Sequence, residues 1–466
     1  MQVKDKNITI VGLGRTGLAA ARFLHQRGAR VLVTDKAGEK ELEDAVGALR
    51  PLGIRVDTGP HRAAAFINAD LIIISPGVAH TIEPIAQAIA RGVPVIGEVE
   101  LASTFIKEPI IAVTGTNGKT TTTALLGQML IDSGIKTFVG GNIGNPLIEY
   151  VGKEQKAQIV VVEISSFQLD TIANFRPKIS ILLNITADHL DRYPDFEDYA
   201  DSKMRIFKNQ QADDLAILNA LDPVVRTKTK NIKCRQLFFP SLEQGEQGAI
   251  LNGQKIILNL NKFEGIESKN ENRKTRIEKR LSLDISKMHL RGRHNFENAC
   301  AASLAALAAG ATLGAIQKTL DHFEGLAHRL EHVATINAVQ YYNDSKATNV
   351  DGVLRALECF SKPVLLLMGG RDKGGHFLVL QDIIRKHVKE LIVMGEAAES
   401  IRSALGQQAV TKVAASMQEA VKLAFQDAVA QDVVLLSPGC ASFDWYSNYA
   451  ERGDDYRRAV EKLKTG

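Results

Sequence analysis

Residues 114–121 read TGTNGKTT, and this stretch decides the fold of the central part of the chain. It follows the apolar run IIAV (residues 110–113) and precedes TTALLGQMLIDSG (residues 122–134), whose composition favours a helix. In a glycine-rich turn from a buried strand into a helix, successive backbone N–H groups can surround phosphate oxygens. The lysine can place its charge on the terminal phosphates of a nucleotide, and the threonine after it can ligate magnesium. The stretch predicts a phosphate-binding loop formed by Gly115, Thr116, Asn117, Gly118, Lys119, Thr120 and Thr121.

The stretch departs at one position from the usual nucleotide-binding pattern, and this departure limits which kinds of nucleotide-binding protein it can indicate. The pattern places a glycine six residues before the lysine, whereas this chain has Val113 there. A generic GTPase or kinase is therefore disfavoured, and a variant phosphate loop is indicated. The alternative is a glycine-rich turn that binds no nucleotide.

A second glycine motif, GLGRTG at residues 12–17, follows the run ITIV and opens a helical stretch. Glycines let the backbone approach a diphosphate, and the helix N-terminus directs free N–H groups towards it. The expected ligand is a diphosphate, for which a nucleotide sugar fits as well as NAD; a tight turn without a ligand is the alternative. The candidate residues are Gly14, Arg15, Thr16 and Asp35, with Ser75, Pro76 and Gly77 after the neighbouring run LIIIS.

The composition excludes several classes of protein. With 45% hydrophobic and 24% charged residues, the chain matches ordinary globular enzymes and differs from disordered, fibrous and membrane proteins. The net charge of +4 is too small to indicate nucleic acid or an anionic membrane as the main partner. A length of 466 residues indicates about three domains.

Three segments alternate branched apolar runs with helical stretches, which predicts an α/β fold built on parallel sheets. The first segment, residues 1–97, is Rossmann-like and contains the diphosphate motif. The second, residues 98–325, contains the phosphate loop, and the third, residues 326–466, is again Rossmann-like. Residues 241–290 are polar and lysine-rich, so we expect a small peripheral hairpin or sheet there, apart from the central sheet.

The compartment is expected to be the cytoplasm. The apolar run near residue 10 is too short, and too soon broken by glycine, for a signal peptide or a membrane span. The four cysteines are far apart in the sequence, which favours a reducing compartment over a disulfide or zinc framework.

Three polar residues of the second segment are candidates whose role the residues alone leave open. Glu163 ends the run IVVVE, where a carboxylate can hold magnesium, although an ordinary acid at a strand end is an equal alternative. His189 lies in DHLDRYP (residues 188–194), where a lone histidine is more often a surface or packing residue. Lys203 follows in a helical stretch, where a lysine is usually a solvated charge.

The loop TGTNGKTT, extended by one threonine, resembles the ATP loop of the Mur ligases and their relatives, the folylpolyglutamate synthetases. SSFQL (residues 165–169) is similar to the member of that family that adds D-glutamate. The resemblance implies one magnesium ion on Thr120 and Glu163, and a second on His189 and Lys203, with the lysine carbamylated. It also implies that Asn142 binds the UDP-linked substrate.

Further elements of the family follow in order along the rest of the chain. GRHNFEN (residues 292–298), HRLE (328–331) and NDSKATN (343–349) resemble its nucleotide-binding elements. The resemblance implies ATP contacts for Asn295, Asn298, Arg329 and Asp344; capping of a helix N-terminus is the alternative role of Asn295. It implies D-glutamate binding by Lys346, Thr348, Lys373, Ser442 and Tyr449, the last standing where phenylalanine is expected.

As a whole, the resemblance implies ATP-dependent ligation of D-glutamate to UDP-N-acetylmuramoyl-L-alanine through an acyl phosphate. Its catalytic residues would be Lys119, Glu163, His189 and Lys203, and the protein would be a monomer. A sister ligase that adds another amino acid is the first alternative, although the DNPR element of the diaminopimelate- or lysine-adding enzyme is absent. A dinucleotide-dependent dehydrogenase would leave TGTNGKTT unexplained, and an inert nucleotide-sugar scaffold would be expected to lack a catalytic residue.

Overall fold

The computed structural model describes residues 1–142, 144–154, 156–190, 192–241, 247–260, 263–264, 276–277, 280–372 and 374–464. These residues form sheets of five, nine and six strands, with helices between the strands, and one sheet of two strands. Most strand pairs in the three large sheets are parallel. The predicted α/β class is confirmed.

The first sheet has the order β3-β2-β1-β4-β5, and all its strand pairs are parallel. The strand order reverses between β1 and β4, and this is where ligands of open α/β sheets bind. The elements are β1 (Asn7–Val11), α1 (Arg15–Gln26), β2 (Arg30–Asp35), α2 (Glu43–Leu49), β3 (Arg55–Thr58), α3 (Ala63–Ile67), β4 (Leu71–Ile74), α4 (Glu83–Ala90) and β5 (Val95–Gly97).

Helix α5 (Glu98–Ser103) leads from the first sheet to the second and is fixed by two buried carboxylates. Glu98 accepts a hydrogen bond of 2.6 Å from the Ile148 N–H. Glu100 accepts hydrogen bonds of 3.0, 2.9 and 2.8 Å from the backbone N–H groups of three consecutive residues, 173–175. Because each carboxylate satisfies backbone donors across the connection, α5 ties the first sheet to the second.

The second sheet has the order β16-β13-β12-β11-β10-β9-β6-β8-β7. Its strands from β7 to β11 are parallel, and β6, β8, β9 and β10 are buried along their whole length, as expected for strands in a sheet covered on both faces. The elements are β6 (Ile110–Thr114), α6 (Lys119–Asp132), β7 (Thr137–Gly141), α7 (Leu147–Val151), β8 (Ile159–Glu163), α8 (Ser166–Leu169), β9 (Ile179–Leu182), α9 (Phe196–Met204), β10 (Leu215–Asn219), α10 (Pro223–Lys228), β11 (Arg235–Phe239), β12 (Gly248–Asn252), β13 (Lys255–Asn259), β14 (Phe263–Glu264), β15 (Arg276–Ile277), β16 (Leu281–Asp284), α11 (Arg293–Ala308) and α12 (Leu313–His322).

The expectation for residues 241–290 is wrong in its main part. Strands β12, β13 and β16 extend the central sheet, because β12 pairs with β11 at Phe238 and Gly248. The added strands are antiparallel to one another, and their inward residues Ala249, Ile256 and Leu258 are buried. Only β14 and β15 form a separate two-stranded sheet.

The third sheet has the order β17-β18-β22-β19-β20-β21, with β17 antiparallel to β18 and the other pairs parallel. Alternate residues of β19 enter two cores, Leu366 and Met368 on one face and Leu365 and Leu367 on the other. The elements are β17 (Glu331–Ile336), β18 (Val339–Asn343), α13 (Val350–Leu357), β19 (Val364–Gly369), α14 (Gln381–His387), β20 (Val388–Met394), α15 (Ala398–Leu405), β21 (Val410–Ala414), α16 (Met417–Asp427), β22 (Val433–Gly439) and α17 (Tyr449–Lys462).

The chain divides into two compact units. The first consists of Met1–Ile185, Glu197–Asp284 and Ala299–Leu320, and it contains the first and second sheets. The second consists of Thr186–Phe196, Ile285–Asn298 and Asp321–Gly466, and it contains the third sheet. Within the described ranges, no helix is both long enough and apolar enough to span a lipid bilayer.

Candidate active site

The glycine motif of the first sheet forms a tight turn from β1 into α1. A Cβ atom at Gly17 would lie 1.9 Å from the Gly12 carbonyl oxygen, so only glycine fits there. Asp35 holds the turn, because its carboxylate accepts hydrogen bonds of 2.6 Å from Leu13 N–H and 2.9 Å from Ala37 N–H. The space in front of Gly14 is open, since no atom lies within 4 Å of a Cβ built there. The turn thus presents backbone at the end of β1, as an anion site requires.

Two other predicted residues lie beside this turn. Ser75 donates a hydrogen bond of 3.1 Å to the Gly12 carbonyl, which brings the turn of residues 75–77 next to the glycine motif. Arg15 donates a hydrogen bond of 2.5 Å to Asn145 and lies 3.7 Å from the Glu149 carboxylate. Through Arg15, the start of α1 contacts the loop and helix that follow β7. Thr16 lies in the first turn of α1, beside Arg15.

The phosphate loop is held against the end of β9. Thr116 N–H donates to the Asn184 carbonyl at 2.9 Å, and Asn117 N–H donates to the Asn184 side chain at 2.8 Å. Asn184 returns a hydrogen bond of 3.1 Å to the Asn117 carbonyl. A Cβ atom at Gly115 would lie 2.9 Å from Leu183 Cβ, so glycine is required there as well. Gly118 has a φ of 85°, and α6 begins at the next residue, three residues before the predicted helical stretch 122–134.

Lys119 is folded over its own loop. Its ammonium donates hydrogen bonds of 2.8 Å to the carbonyl oxygens of Gly115 and Thr116. Thr120 and Thr121 follow in the first turn of α6. The cation is therefore held over the turn that leads into the N-terminus of α6, an arrangement that suits phosphate binding.

Glu163 lies beside the base of this loop, because β8 pairs with β6 and places Glu163 opposite Val113. It is 2% exposed, and its Oε1 atom accepts a hydrogen bond of 2.9 Å from the Asn142 side chain. Its Oε2 atom is buried and has no hydrogen-bond partner among the described residues. A buried carboxylate oxygen without a donor is costly unless a cation binds it. Glu163 therefore fits a magnesium ligand better than an ordinary acid at a strand end.

Lys203 of α9 is 2% exposed, so the solvated-charge alternative is wrong. Its ammonium donates a hydrogen bond of 3.0 Å to the Gly115 carbonyl and lies 4.5 Å from the centre of the Tyr199 ring. The Tyr199 hydroxyl is 3.1 Å from the Thr116 hydroxyl. Helix α9 thus brings a buried amine and a phenol to the phosphate loop.

In the second unit, a cavity of 620 Å³ is lined by Arg291, Asn295, Arg329, His332 and Tyr342, among other residues. Asn295 donates a hydrogen bond of 2.6 Å to the Arg291 carbonyl and accepts one of 3.3 Å from the Asn298 side chain. Helix α11 begins at Arg293, two residues earlier, so Asn295 is not its N-cap. Two of the residues assigned to ATP therefore face one cavity, and Asn298 orients one of them.

Asp344 joins two of the predicted motifs. Its carboxylate accepts hydrogen bonds of 3.2 Å from Leu330 N–H and 3.1 Å from the Ser437 hydroxyl. Burial raises the pKa of Asp344 to about 7. The turn that it holds contains His328 and Leu330 at φ values of 63° and 47°, a strained backbone that needs such support.

A second cavity of this unit, of 270 Å³, is lined by His189, Thr348, Asp372, His376 and Val379, among other residues. His189 has a φ of 56°, and its N–H donates a hydrogen bond of 2.9 Å to the Asp188 carboxylate. The other Asp188 oxygen accepts a hydrogen bond of 3.0 Å from the Asn349 side chain. The predicted residues His189 and Thr348 thus lie on the same cavity.

The loops assigned to the amino acid also meet one another. The Lys346 ammonium lies 3.6 Å from the centre of the Tyr449 ring, a cation–π contact. Arg371 and Ala441 exchange backbone hydrogen bonds of 2.8 and 2.9 Å, which join the loop after β19 to the loop that carries Ser442. Ser442 is buried, and Lys373 lies outside the described residues.

Sequence reasoning gave no role to Asn184 or Tyr199, although both support the phosphate loop. Asn184 directly follows ISILL, and a polar residue just after a buried strand is a signal that could have identified it. Tyr199 lies four residues before Lys203 and so faces the same way on the helix. Over the described ranges, no three His, Cys, Asp or Glu side chains cluster as a metal site.

Comparisons with known proteins agree with this geometry. Three family models match along the chain: "Mur ligase MurD-like, N-terminal domain" at residues 6–97, "Mur ligase middle domain" at 113–306 and "Mur ligase, glutamate ligase domain" at 328–440. A relative from Desulfatibacillum aliphaticivorans is 52% identical over 463 residues, which cover 99% of this chain and 100% of the relative. This chain belongs to the Mur ligase family.

The Desulfatibacillum relative is named "UDP-N-acetylmuramoylalanine--D-glutamate ligase". A Mur ligase of the same name from Desulfosudis oleivorans is 47% identical and covers 100% of this chain and 98% of the relative. Solved Mur ligases share the fold. MurC from Thermotoga maritima has a TM-score of 0.59 at 21% identity, covering 99% of both chains. MurF from the same organism, in complex with ADP, has a TM-score of 0.59 at 16% identity, covering 93% of this chain and 95% of MurF.

Proposed function

We propose that this Mur ligase joins D-glutamate to UDP-N-acetylmuramoyl-L-alanine, converts ATP to ADP and phosphate, and acts in peptidoglycan synthesis. One observation carries the proposal: relatives with 42–52% identity along essentially the whole chain are named for this reaction. The phosphate loop and the two cavities of the second unit supply the kinds of site that such a reaction needs. Because ATP and nucleotide sugars are cytoplasmic metabolites, the cytoplasm is the proposed compartment.

The chemical problem is to join a carboxylate to an amine at neutral pH, where the carboxylate is unreactive. The L-alanyl carboxylate of the substrate attacks the γ-phosphorus of ATP, which gives an acyl phosphate and ADP. The D-glutamate amine then attacks the acyl carbon, phosphate leaves, and an amide remains. The backbone N–H groups of the phosphate loop and Lys119 hold the β- and γ-phosphates and stabilise the charge that develops during transfer.

Thr120 and Glu163 would hold a magnesium ion, which supplies charge neutralisation of the phosphate oxygens when bound. The unpartnered Oε2 atom of Glu163 supports this assignment. The second magnesium ion, on His189 and a carbamylated Lys203, stays a prediction from the resemblance. Burial of Lys203 and its contact with the phosphate loop support a functional role for this amine.

Each segment is proposed to bind mainly one substrate, and Asn142, Arg329 and Asp344 are assigned to a substrate whose main segment is a different one. We propose residues 1–97 for the UDP-linked substrate, with Gly14, Arg15, Thr16, Asp35, Ser75, Pro76, Gly77 and Asn142 as its site. We propose residues 98–325 for ATP, and residues 326–466 for the amino acid. Asn295, Asn298, Arg329 and Asp344 are proposed to bind the nucleotide, and Lys346, Thr348, Lys373, Ser442 and Tyr449 to bind D-glutamate. Asp35 would act on the diphosphate through the backbone N–H groups that it orients.

The test is phosphate release from ATP in the presence of UDP-N-acetylmuramoyl-L-alanine. D-Glutamate, L-glutamate, L-lysine, meso-diaminopimelate and L-alanine are offered in turn, with Lys203→Ala as the inactive control. We expect release with D-glutamate alone and its loss in the control. Turnover with another amino acid would assign the protein to a sister ligase, and no turnover with any of them would contradict the proposal.

A further inference from the structure

The largest of the fully buried side chains in the described ranges is Arg452 of α17. Its Nε donates a hydrogen bond of 3.0 Å to the Ser345 hydroxyl, and its Nη2 donates one of 2.8 Å to the Ser345 carbonyl. Its Nη1 donates to the carbonyl oxygens of Cys440, at 3.1 Å, and Gly369, at 3.4 Å. One guanidinium therefore reaches three separate stretches of the chain.

These three stretches are the loops to which the amino-acid site is assigned. Ser345 directly precedes Lys346, Gly369 is the last residue of β19 and leads into the loop that follows it, and Cys440 lies two residues before Ser442. The loops follow β18, β19 and β22, which are neighbours in the third sheet. Parallel strands end at the same edge of a sheet, so the guanidinium stands where the three loops converge.

The acceptors of Arg452 within the described residues are all neutral oxygens, which separates it from an ordinary ion pair. Burial lowers the pKa of Arg452 to about 10, so the side chain stays protonated at neutral pH. A buried cation that bonds only carbonyl and hydroxyl oxygens gains little as a charge pair, and it contributes directional hydrogen bonds. The planar fork of arginine is suited to several acceptors at once, whereas lysine offers a single nitrogen.

The loops are closely packed around the Arg452 guanidinium. A Cβ atom at Gly370 would lie 2.2 Å from the Ala441 carbonyl and 3.0 Å from Arg452 Nη1. Gly370 has a φ of 130°, in the region that favours glycine. The loop after β19 is therefore pressed against both the guanidinium and the loop after β22.

We propose that Arg452 is the positioning residue of the amino-acid pocket: by bridging the loops at Ser345, Gly369 and Cys440, it sets the spacing of the side chains that bind the amino acid. This proposal rests on the function proposed above. Arg452 acts through the loops and does not itself contact substrate.

The experiment compares Arg452→Lys and Arg452→Met with the unchanged enzyme. Arg458→Met is the matched control, because Arg458 lies on the same helix, is exposed and, among the residues that the structure describes, bonds Asp455 alone. The KM values for D-glutamate, ATP and UDP-N-acetylmuramoyl-L-alanine are measured, together with kcat. Formation of the acyl phosphate without D-glutamate is followed by trapping it with hydroxylamine, which gives a hydroxamate and phosphate.

We expect both Arg452 variants to raise the KM for D-glutamate at least about tenfold, because a misplaced binding group costs roughly this much or more. Acyl-phosphate trapping and the KM for the UDP-linked substrate should stay within about twofold of the unchanged enzyme. Lysine retains the charge but cannot bridge three loops, so it should not restore the pocket. Arg458→Met should leave all values unchanged.

A normal KM for D-glutamate in Arg452→Lys would overturn the proposal, because charge alone would then suffice. An equal rise in all three KM values, with a lowered unfolding temperature, would also overturn it and indicate a general structural role. If the Arg452→Met variant does not fold, the KM values of the Arg452→Lys variant alone decide between these outcomes. If the unchanged enzyme uses an amino acid other than D-glutamate, the proposed function fails, and the KM for that amino acid decides the role of Arg452.

Discussion

Replacing Glu98 by glutamine should stabilise the connection between the first two sheets, with a gain that grows as the pH rises from about 4.5 to about 7 and is full above that range. The Glu98 carboxyl is 2% exposed and receives a hydrogen bond of 2.6 Å from Ile148 N–H, at the start of α7. Burial is the main cause that raises its pKa to about 7, and the nearby Glu149 carboxylate adds to the shift. Glutamine keeps an oxygen for the Ile148 N–H and removes the ionisable group.

The size and sign of the effect follow from the pKa. In the folded chain the carboxyl titrates near 7 and in the unfolded chain near 4.5, so folding favours the protonated form. Stability from this group is fully present below pH 4.5 and is lost as the pH rises through about 7. At 1.36 kcal/mol per pH unit, the loss amounts to about 3 kcal/mol at pH 8. Glu98→Gln should therefore raise the free energy of opening by up to about 3 kcal/mol at pH 8 and by little at pH 4.5.

Hydrogen exchange of the α7 amides, corrected for the intrinsic pH dependence of exchange, measures this free energy of local opening. The matched control is Glu100→Gln, the same chemical change two residues further along α5. The Glu100 carboxylate accepts hydrogen bonds from three backbone N–H groups. The NH2 group of a glutamine would face at least one of these N–H groups with no acceptor between them, so Glu100→Gln should lower stability by about 1–3 kcal/mol. A gain for Glu98→Gln that is equal at both pH values, or a loss at pH 8, would refute the reasoning.

Three further substitutions test the sites directly. Gly17→Ala would place a Cβ atom 1.9 Å from a carbonyl oxygen, so we expect a KM for the UDP-linked substrate raised at least about tenfold and stability lowered by about 1–3 kcal/mol; an unchanged KM would contradict the diphosphate role of the turn. Glu163→Gln should reduce phosphate release at least about a hundredfold, and an unchanged response to added magnesium would argue against Glu163 as a ligand. Asn184→Ala removes both side-chain hydrogen bonds between Asn184 and Asn117, whereas the bond from Thr116 N–H to the Asn184 backbone carbonyl remains, so the KM for ATP should rise about tenfold while that for D-glutamate does not.

Much of the fold could be predicted because buried parallel strands carry a strong signal. Runs such as IVVVE and PVLLLMGG are apolar on both faces, and the structure has strands there. Strands without this signal were missed. β3, with the sequence RVDT, lies at the edge of the first sheet and has no fully buried residue, so neither its composition nor its alternation indicates a strand.

The glycine turn of the phosphate loop could be predicted from local sequence, whereas the distant residues that contact the loop could not. The turn between β6 and α6 lies within the predicted stretch, because its geometry depends on glycines within a few consecutive residues. The burial of Lys203 depends on the packing of α9 against a loop 88 residues earlier in the chain. Similarly, the bonds of Arg452 to Ser345 span 107 residues. Contacts at such separation are set by the topology of the sheet, which a single sequence does not display.

The place of β22 in the third sheet has a consequence for biosynthesis. Although it is the last strand of this sheet along the chain, β22 lies between β18 and β19 and pairs with both. A nascent chain released as far as β21 therefore has a gap in the middle of this sheet, with exposed apolar strand edges on both sides. We expect such a chain to depend on the ribosome or on chaperones until residues 433–439 emerge, and to be prone to aggregation if synthesis stops earlier.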